Sequence, residues 1–193
     1  DSVTEIVGGA FSGCTSLKEI TVSPDNKNYV SVDGVLFSRD MSTLLVYPAG
    51  NECSTYIVPD SVTEIGYDAF YYCTSLSKVK LPNGLTKIGN SAFSRCENLA
   101  EITIPDSVTE IGYYAFDNCR SLSKVKLSNG LTKIGNDAFF CCTSLTELTI
   151  PDSVTEIVGG AFSGCTSLKE ITVSPDNKNY VSVDGVLFSR DMS

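Results

Sequence analysis

Ala-Phe, a Cys three residues after the Phe, and a Leu three after the Cys recur along this chain. The Phe positions are Phe11, Phe70, Phe93, Phe116, Phe139 and Phe162, and from Phe70 onward every step is 23 residues. A fixed period of this size marks a solenoid, in which each turn of chain buries its apolar face by stacking on its neighbours. The 193 residues therefore read as one elongated domain over 1–193, not as one or two globules. Function is then expected on an extended surface rather than in a pocket. The chain starts at Asp1 in mid-repeat and stops at Ser193 in mid-motif, so it reads as a slice of a longer array.

Within each unit, apolar residues follow an LxxLxL spacing: Leu99-Ile102-Ile104, Leu122-Val125-Leu127, Leu145-Leu148-Ile150 and Leu168-Ile171-Val173. The last two of each trio alternate with polar residues, which puts them on one face of a strand. Pro82, Pro105 and Pro151 follow directly. Proline has no N–H to continue a ladder, so it ends the strand, and Asp-Ser or Asn-Gly makes a turn. A second, shorter alternation follows, Val108 with Ile111 or Leu131 with Ile134. Gly66, Gly89, Gly112 and Gly135 come next and are expected to adopt a backbone conformation that other residues resist. The Ala-Phe-x-x-Cys segment is too short for a stable isolated helix; one helical turn is expected there, with Phe and Cys pointing inward.

The polar positions carry a longer period. Before the middle apolar residue of the first strand stand Glu19, Lys78, Glu101, Lys124, Glu147 and Glu170. In the second strand the same place holds Glu5, Glu64, Lys87, Glu110, Lys133 and Glu156. From Lys78 to Glu147, and from Glu64 to Glu156, the sign alternates turn by turn. Stacked in register, opposite charges on adjacent strands help by a few tenths to about 1 kcal/mol. Two readings stay open: a recognition stripe, or a solvated ladder that neutralises itself.

The run Ile104-Pro-Asp-Ser-Val-Thr-Glu-Ile-Gly112, with the Ala-Phe-x-x-Cys-x-x-Leu after it, resembles the BspA-like leucine-rich repeats of secreted and cell-surface proteins. The resemblance covers essentially the whole chain. It implies an α/β leucine-rich-repeat solenoid, a right-handed superhelix rich in β-structure with a short helical turn per repeat. It also implies a secreted or cell-surface location and an adhesive role towards extracellular or host-surface proteins.

The pattern is interrupted between Phe11 and Phe70, a gap of one repeat plus 36 residues. Tyr29–Val32, Val35–Ser38 and Thr43–Tyr47 alternate as strands, and Asp33-Gly34 between the first two is a strong hairpin signal. A three-stranded β-meander is expected over 25–58, attached to the solenoid. Residues 1–42 are identical to 152–193, so the meander is partly duplicated at 176–193. The second copy stops before its third strand, leaving Val186-Leu187-Phe188 with an unpaired edge. That end is expected to be disordered or completed by another chain, which makes self-association through the repeat ends a candidate.

Cys14, Cys73, Cys96, Cys119, Cys142 and Cys165 hold one place in every repeat. Stacked turns lie about 4.8 Å apart. That suits a Cα pair for a disulfide but leaves parallel Cβ atoms wider apart than a relaxed bridge prefers. Free, buried thiols acting as small hydrophobes are expected. Cys141 is expected to face outward, and Cys53 lies in the insertion. No metal site is expected, since zinc wants four convergent ligands and this chain has no histidine.

The absence of histidine also removes Ser-His-Asp and Cys-His catalysis. No phosphate-binding glycine loop is present, and no cofactor is expected. Asp25, Asn26 and Asn28 fail the calcium-loop template and read as a polar turn into the meander. The net charge is −9, from 14 basic and 23 acidic residues. With no basic tract, nucleic acid is disfavoured as a partner, as is an anionic lipid surface. No apolar run reaches the length of a membrane-spanning helix, so no membrane insertion is expected.

The candidate binding surface is therefore the outward face of the LxxLxL strands, Lys78, Lys80, Glu101, Thr103, Lys124, Lys126, Glu147 and Thr149. Tyr71, Tyr72, Tyr113 and Tyr114 join it as variable aromatics, of a type favoured at interfaces. The leading expectation is a non-catalytic protein-binding or adhesion module. The alternative is a structural spacer within a long repeat array.

Overall fold

The computed structural model describes residues 1–190. Its strands are β1 (Tyr29–Val32), β2 (Val35–Ser38), β3 (Thr43–Val46), β4 (Thr55–Ile57), β5 (Glu64–Ile65), β6 (Lys78–Lys80), β7 (Lys87–Ile88) and β8 (Glu101–Thr103). They continue as β9 (Glu110–Ile111), β10 (Lys124–Lys126), β11 (Lys133–Ile134), β12 (Glu147–Ile150), β13 (Glu156–Ile157), β14 (Glu170–Val173), β15 (Tyr180–Val183) and β16 (Val186–Ser189). Each regular turn contributes one long and one short strand, and the chain forms a β-solenoid. The short strands stack in parallel as β3-β5-β7-β9-β11-β13, with β1 and β2 added antiparallel at one end. The long strands stack as β4-β6-β8-β10 and, separately, β12-β14. Register is one repeat per step, Lys133 against Glu110 and Glu156, for example.

No helix forms among the described residues, so the helical turn expected at Ala-Phe-x-x-Cys is corrected. The backbone shows why. Asp68, two residues before Phe70, and Tyr72, two after it, take left-handed φ values of 55° and 62°. The same two places hold Ser91 and Arg95, Tyr114 and Asn118, then Asp137 and Cys141, all left-handed. A left-handed residue breaks a right-handed helix. The N–H groups then split their work. Asp68, Phe70 and Tyr72 donate to the carbonyls of Asn90, Ala92 and Ser94 in the next turn, at 3.1, 2.7 and 2.9 Å. Ala69, Tyr71 and Cys73 donate three residues back, to Gly66, Asp68 and Phe70. A helix turns its donors back along its own segment; this bent segment uses half of the six to hold the neighbouring turn.

The glycine expectation is corrected too. Gly66, Gly89, Gly112 and Gly135 are not among the residues with positive φ. They are needed because turns approach closely. A Cβ on Gly112 would sit 2.6 Å from the Asn90 nitrogen, and one on Gly135 would sit 2.7 Å from the Gly112 carbonyl carbon.

The core is a set of columns along the axis. Phe70, Phe93, Phe116 and Phe139 are fully buried, with successive ring centroids 4.8, 5.2 and 5.1 Å apart. Tyr47 extends the column, stacking 5.2 Å from Phe70. Its N–H donates to Ala69 at 2.7 Å, as that of Phe70 does to Ala92. Tyr47 thus stands in the Phe place of an irregular turn that begins at β3. β3 is both the third strand of the meander and a rung of the solenoid, antiparallel to β2 and parallel to β5. β4 pairs in parallel with β6.

Beside the phenylalanines runs the sulfur column, and all eight cysteines are free thiols. The S–H groups of Cys96, Cys119, Cys142 and Cys165 donate to the carbonyls of Phe70, Phe93, Phe116 and Phe139, at 3.0, 3.1, 3.2 and 3.1 Å. Burial pushes the Cys73 and Cys119 thiols well up. Cys141 is half-buried rather than outward-facing, and Cys14 is exposed rather than in the column. The turn containing Cys14 packs on one side only, through Gly50 N–H to the Leu17 carbonyl at 2.8 Å, Lys18 to Glu52 at 2.6 Å, and Ser12 to Asp68.

The identical segments adopt different environments. In the second copy, Glu156-Ile157 and Glu170–Val173 are strands paired to β11 and β12; in the first, the matching residues form no strand. The β1–β2 and β15–β16 hairpins both form with the same register. Both fold back over the preceding turn and satisfy its donors. Tyr29 and Tyr180 hydroxyls accept the N–H groups of Ile6 and Ile157 at 2.7 and 2.8 Å. The Gly34 and Gly185 carbonyls accept those of Ile20 and Ile171 at 2.8 and 2.9 Å. Buried Asn26 and Asn177 tie the hairpin base to the carbonyls of Val3 and Val154. The outer edges differ. β3 covers β2, so Val35 and Phe37 are 1% and 0% exposed, whereas Val186 and Phe188 are 55% and 43% exposed. β16 thus forms a strand paired with β15, with no strand on its outer edge among the described residues. Residues 191–193 of the duplicated stretch lie outside the described residues.

Candidate binding surface

Side chains alternate along a strand, so each long strand turns one residue into the core and the two flanking it outward. Val79 and Ile102 point in, while Lys78, Lys80, Glu101 and Thr103 are exposed, as are Lys124, Lys126, Glu147 and Thr149. Stacking at one repeat per step lines these up as two rows across the strands. The first row runs Lys78, Glu101, Lys124, Glu147, Glu170. The second runs Ile57, Lys80, Thr103, Lys126, Thr149, Thr172.

The rows differ electrically. In the first, Lys78 reaches Glu101 at 3.1 Å, and Lys124 stands between Glu101 and Glu147. The short-strand ladder behaves likewise, with Lys87 to Glu64 at 2.8 Å and Lys133 to Glu156 at 3.4 Å. Glu156 raises the Lys133 pKa by its charge. The alternating charges are thus in register and partly paired. The second row has no acidic member. Lys80 and Lys126 flank Thr103 and make no ion pair among the described residues, while Thr149 and Thr172 hydroxyls bond to each other at 2.8 Å.

Two open grooves cross this face. One, of about 440 Å³, is lined by both Lys78-Lys80 and Lys124-Lys126 pairs, with Glu101, Thr103, Asn83 and Pro105. The other, of about 570 Å³, runs from Lys124 and Lys126 past Glu147 to Asp152 and Glu170. The face is therefore basic in its middle and acidic towards β14.

The tyrosines belong elsewhere. Tyr71 and Tyr72, with ring centroids 6.1 Å apart, line a third groove with Gly50, Glu52, Lys18 and Thr74. None of the strand-face residues lines it. Tyr113 and Tyr114 are each 44% exposed, and the neighbouring Asp137 carboxylate raises the Tyr114 phenol pKa. The structure thus brings the eight strand-face residues together and leaves the aromatics as separate patches.

Ile57, 69% exposed, was not among the residues singled out in the sequence. It extends the second row because β4 belongs to the same sheet as β6. The signal was the strand-then-proline pattern Thr55-Tyr56-Ile57-Val58-Pro59, hidden because the LxxLxL leucine before it is missing. Among the described residues, no cluster of His, Cys, Asp or Glu could hold a metal.

The family model for the BspA type leucine rich repeat region matches six copies over residues 1–41 and 49–169. Among solved structures, a leucine rich cell surface protein from Faecalibacterium prausnitzii is similar over 86% of this chain and 44% of its own, with 36% identity and a TM-score of 0.80. A leucine-rich repeat protein from Eubacterium ventriosum covers 93% of this chain and 55% of its own, with 26% identity and a TM-score of 0.77. A leucine-rich repeat protein from T. pallidum covers 71% of this chain and 66% of its own, with 34% identity and a TM-score of 0.65. This chain spans about half the length of the first two. Comparison with curated proteins finds no match.

Proposed function

The chain belongs to the BspA-type leucine-rich-repeat family, and from that premise we propose that it is a non-catalytic protein-binding module of a bacterial surface protein, engaging extracellular or host-surface proteins through its long-strand face. The observation that carries this reading is the continuous outward row of exposed side chains on β4, β6, β8 and β10, backed by a rigid column of buried rings. Stacked turns create broad surfaces of this kind in repeat proteins. The similar Faecalibacterium prausnitzii protein is described as a cell surface protein, and the comparisons indicate no enzyme family.

The test is capture from a panel of extracellular-matrix and cell-surface proteins by the wild-type chain and by a variant with Lys78, Lys80, Lys124 and Lys126 all changed to Glu. Loss of a captured partner in the variant supports the strand face. Retention there, with loss on changing Tyr71 and Tyr72 to Ser, moves the site to the aromatic groove.

A spacer role is the second reading. It is favoured by the identity of residues 1–42 and 152–193, because a spacer gains length from unaltered duplication. A spacer predicts that neither variant changes any capture.

A further inference from the structure

We infer that the Lys80–Thr103–Lys126 row is a docking strip for a short acidic peptide segment in the polyproline II conformation; this rests on the strand face being the binding face. The charge pattern is the starting point. A ladder built only for stability would follow the first row, where each lysine has glutamate for a neighbour in register. The second row departs from that rule. Lys80 and Lys126 are exposed, face no carboxylate across the strands, and are separated by the hydroxyl of Thr103.

The spacing suggests the ligand's shape. Lys80 and Lys126 lie two strands apart, about 9.6 Å from the inter-strand spacing. A β-strand laid along this row would place side chains facing the sheet about 6.7 Å apart, every second residue. A polyproline II segment has three residues per turn at 3.1 Å rise, so residues i and i+3 share a face about 9.3 Å apart. Carboxylates at i and i+3 match the lysine pair. The groove here is lined by both lysines, Thr103, Asn83 and Pro105, and also by Lys78, Lys124 and Glu101 of the first row. At the β4 end the row closes with exposed Ile57, an apolar contact for a proline ring.

Charge also selects against longer anions. The whole chain carries −9, and β12 and β14 place Glu147 and Glu170 on the same face. A long polyanion would run onto that acidic end and be repelled, whereas a segment with two carboxylates meets the middle, where four lysines line the groove and its one carboxylate, Glu101, is ion-paired to Lys78.

The experiment is a titration of the isotopically labelled chain, followed by amide chemical shifts, with the acetylated and amidated peptide Pro-Pro-Glu-Pro-Pro-Glu-Pro-Pro. The expected result is binding that weakens as ionic strength rises, with shifts at Lys80, Thr103 and Lys126. Lys80→Gln with Lys126→Gln should weaken it about tenfold. Lys87→Gln with Lys133→Gln, which removes the same charge from the other ladder, should change it less than about twofold. Equal weakening by both double variants overturns the strip, since net charge alone would then explain binding. So does a heparin-type sulfated oligosaccharide binding the same residues as tightly, or no binding of the peptide at all. If the peptide fails while the fourfold lysine reversal still abolishes protein capture, the strip falls and the binding-face reading stands.

Discussion

Phe93 and Phe116 each sit between two parallel rings, 4.8 to 5.2 Å away, with no exposed surface. Truncating either leaves a cavity in a column that cannot collapse without shifting whole turns. Phe93→Ala or Phe116→Ala should cost about 3–5 kcal/mol in denaturant unfolding, and a loss below about 1 kcal/mol would contradict the column. Glycine gives a sharper contrast. Gly112→Ala drives a Cβ into the Asn90 backbone and should destabilise by about 1–3 kcal/mol. Gly84→Ala meets nothing within 4 Å and needs no positive φ, so it should be neutral or gain up to about 1 kcal/mol from reduced unfolded-state freedom. Equal melting points for the two variants would remove the close-approach argument. Thiol labelling of the native chain should find Cys14 and Cys53 reactive and Cys73, Cys96, Cys119 and Cys142 silent until unfolding, following their burial. The phenylalanine and cysteine columns were legible from their spacing alone. The left-handed Asp68 and Tyr72 were not, because nothing in those residue types demands φ above zero; only the end copies, with Gly9, Gly13, Gly160 and Gly164 in those places, carried the hint.

At the scale of elements, the paired hairpins act as an internal control. β1–β2 and β15–β16 share sequence and register, yet Phe37 is buried under β3 while Phe188 is 43% exposed. Phe37→Ala should cost about 3–5 kcal/mol and Phe188→Ala under about 1 kcal/mol. Similar losses would show that the β16 edge is covered in solution. The three meander strands were readable from Asp33-Gly34 and the alternation around it. That β3 also serves as a rung of the solenoid was not, because Tyr47 and β4 lack the repeat's leucine and Ala-Phe signature, and only the parallel pairing with β5 and β6 reveals it. The helix expectation failed for a related reason. Local propensity cannot register that the next turn offers carbonyls to Asp68, Phe70 and Tyr72, and those inter-turn bonds override a helix of one turn.

Over the whole molecule, stability is expected to grade along the axis, since each turn touches only its neighbours. Amide exchange should be slowest around Phe93 and Phe116. It should be fast over residues 1–24, which form no strand and pack on one side, even though the identical residues 152–175 are paired. Equal protection of the two copies would contradict this. The sequence by itself determined the solenoid, its 23-residue step, the inward Phe and Cys columns and the in-register alternation of charge, because all of these follow from a period repeated often enough to leave one packing solution. The tertiary structure alone decided how the same 42 residues behave at two places, which turn Tyr47 and β4 belong to, and which lysines keep their charge unpaired. Those depend on which segments and side chains meet one turn away in space, and an interrupted or duplicated repeat signature does not say which they are.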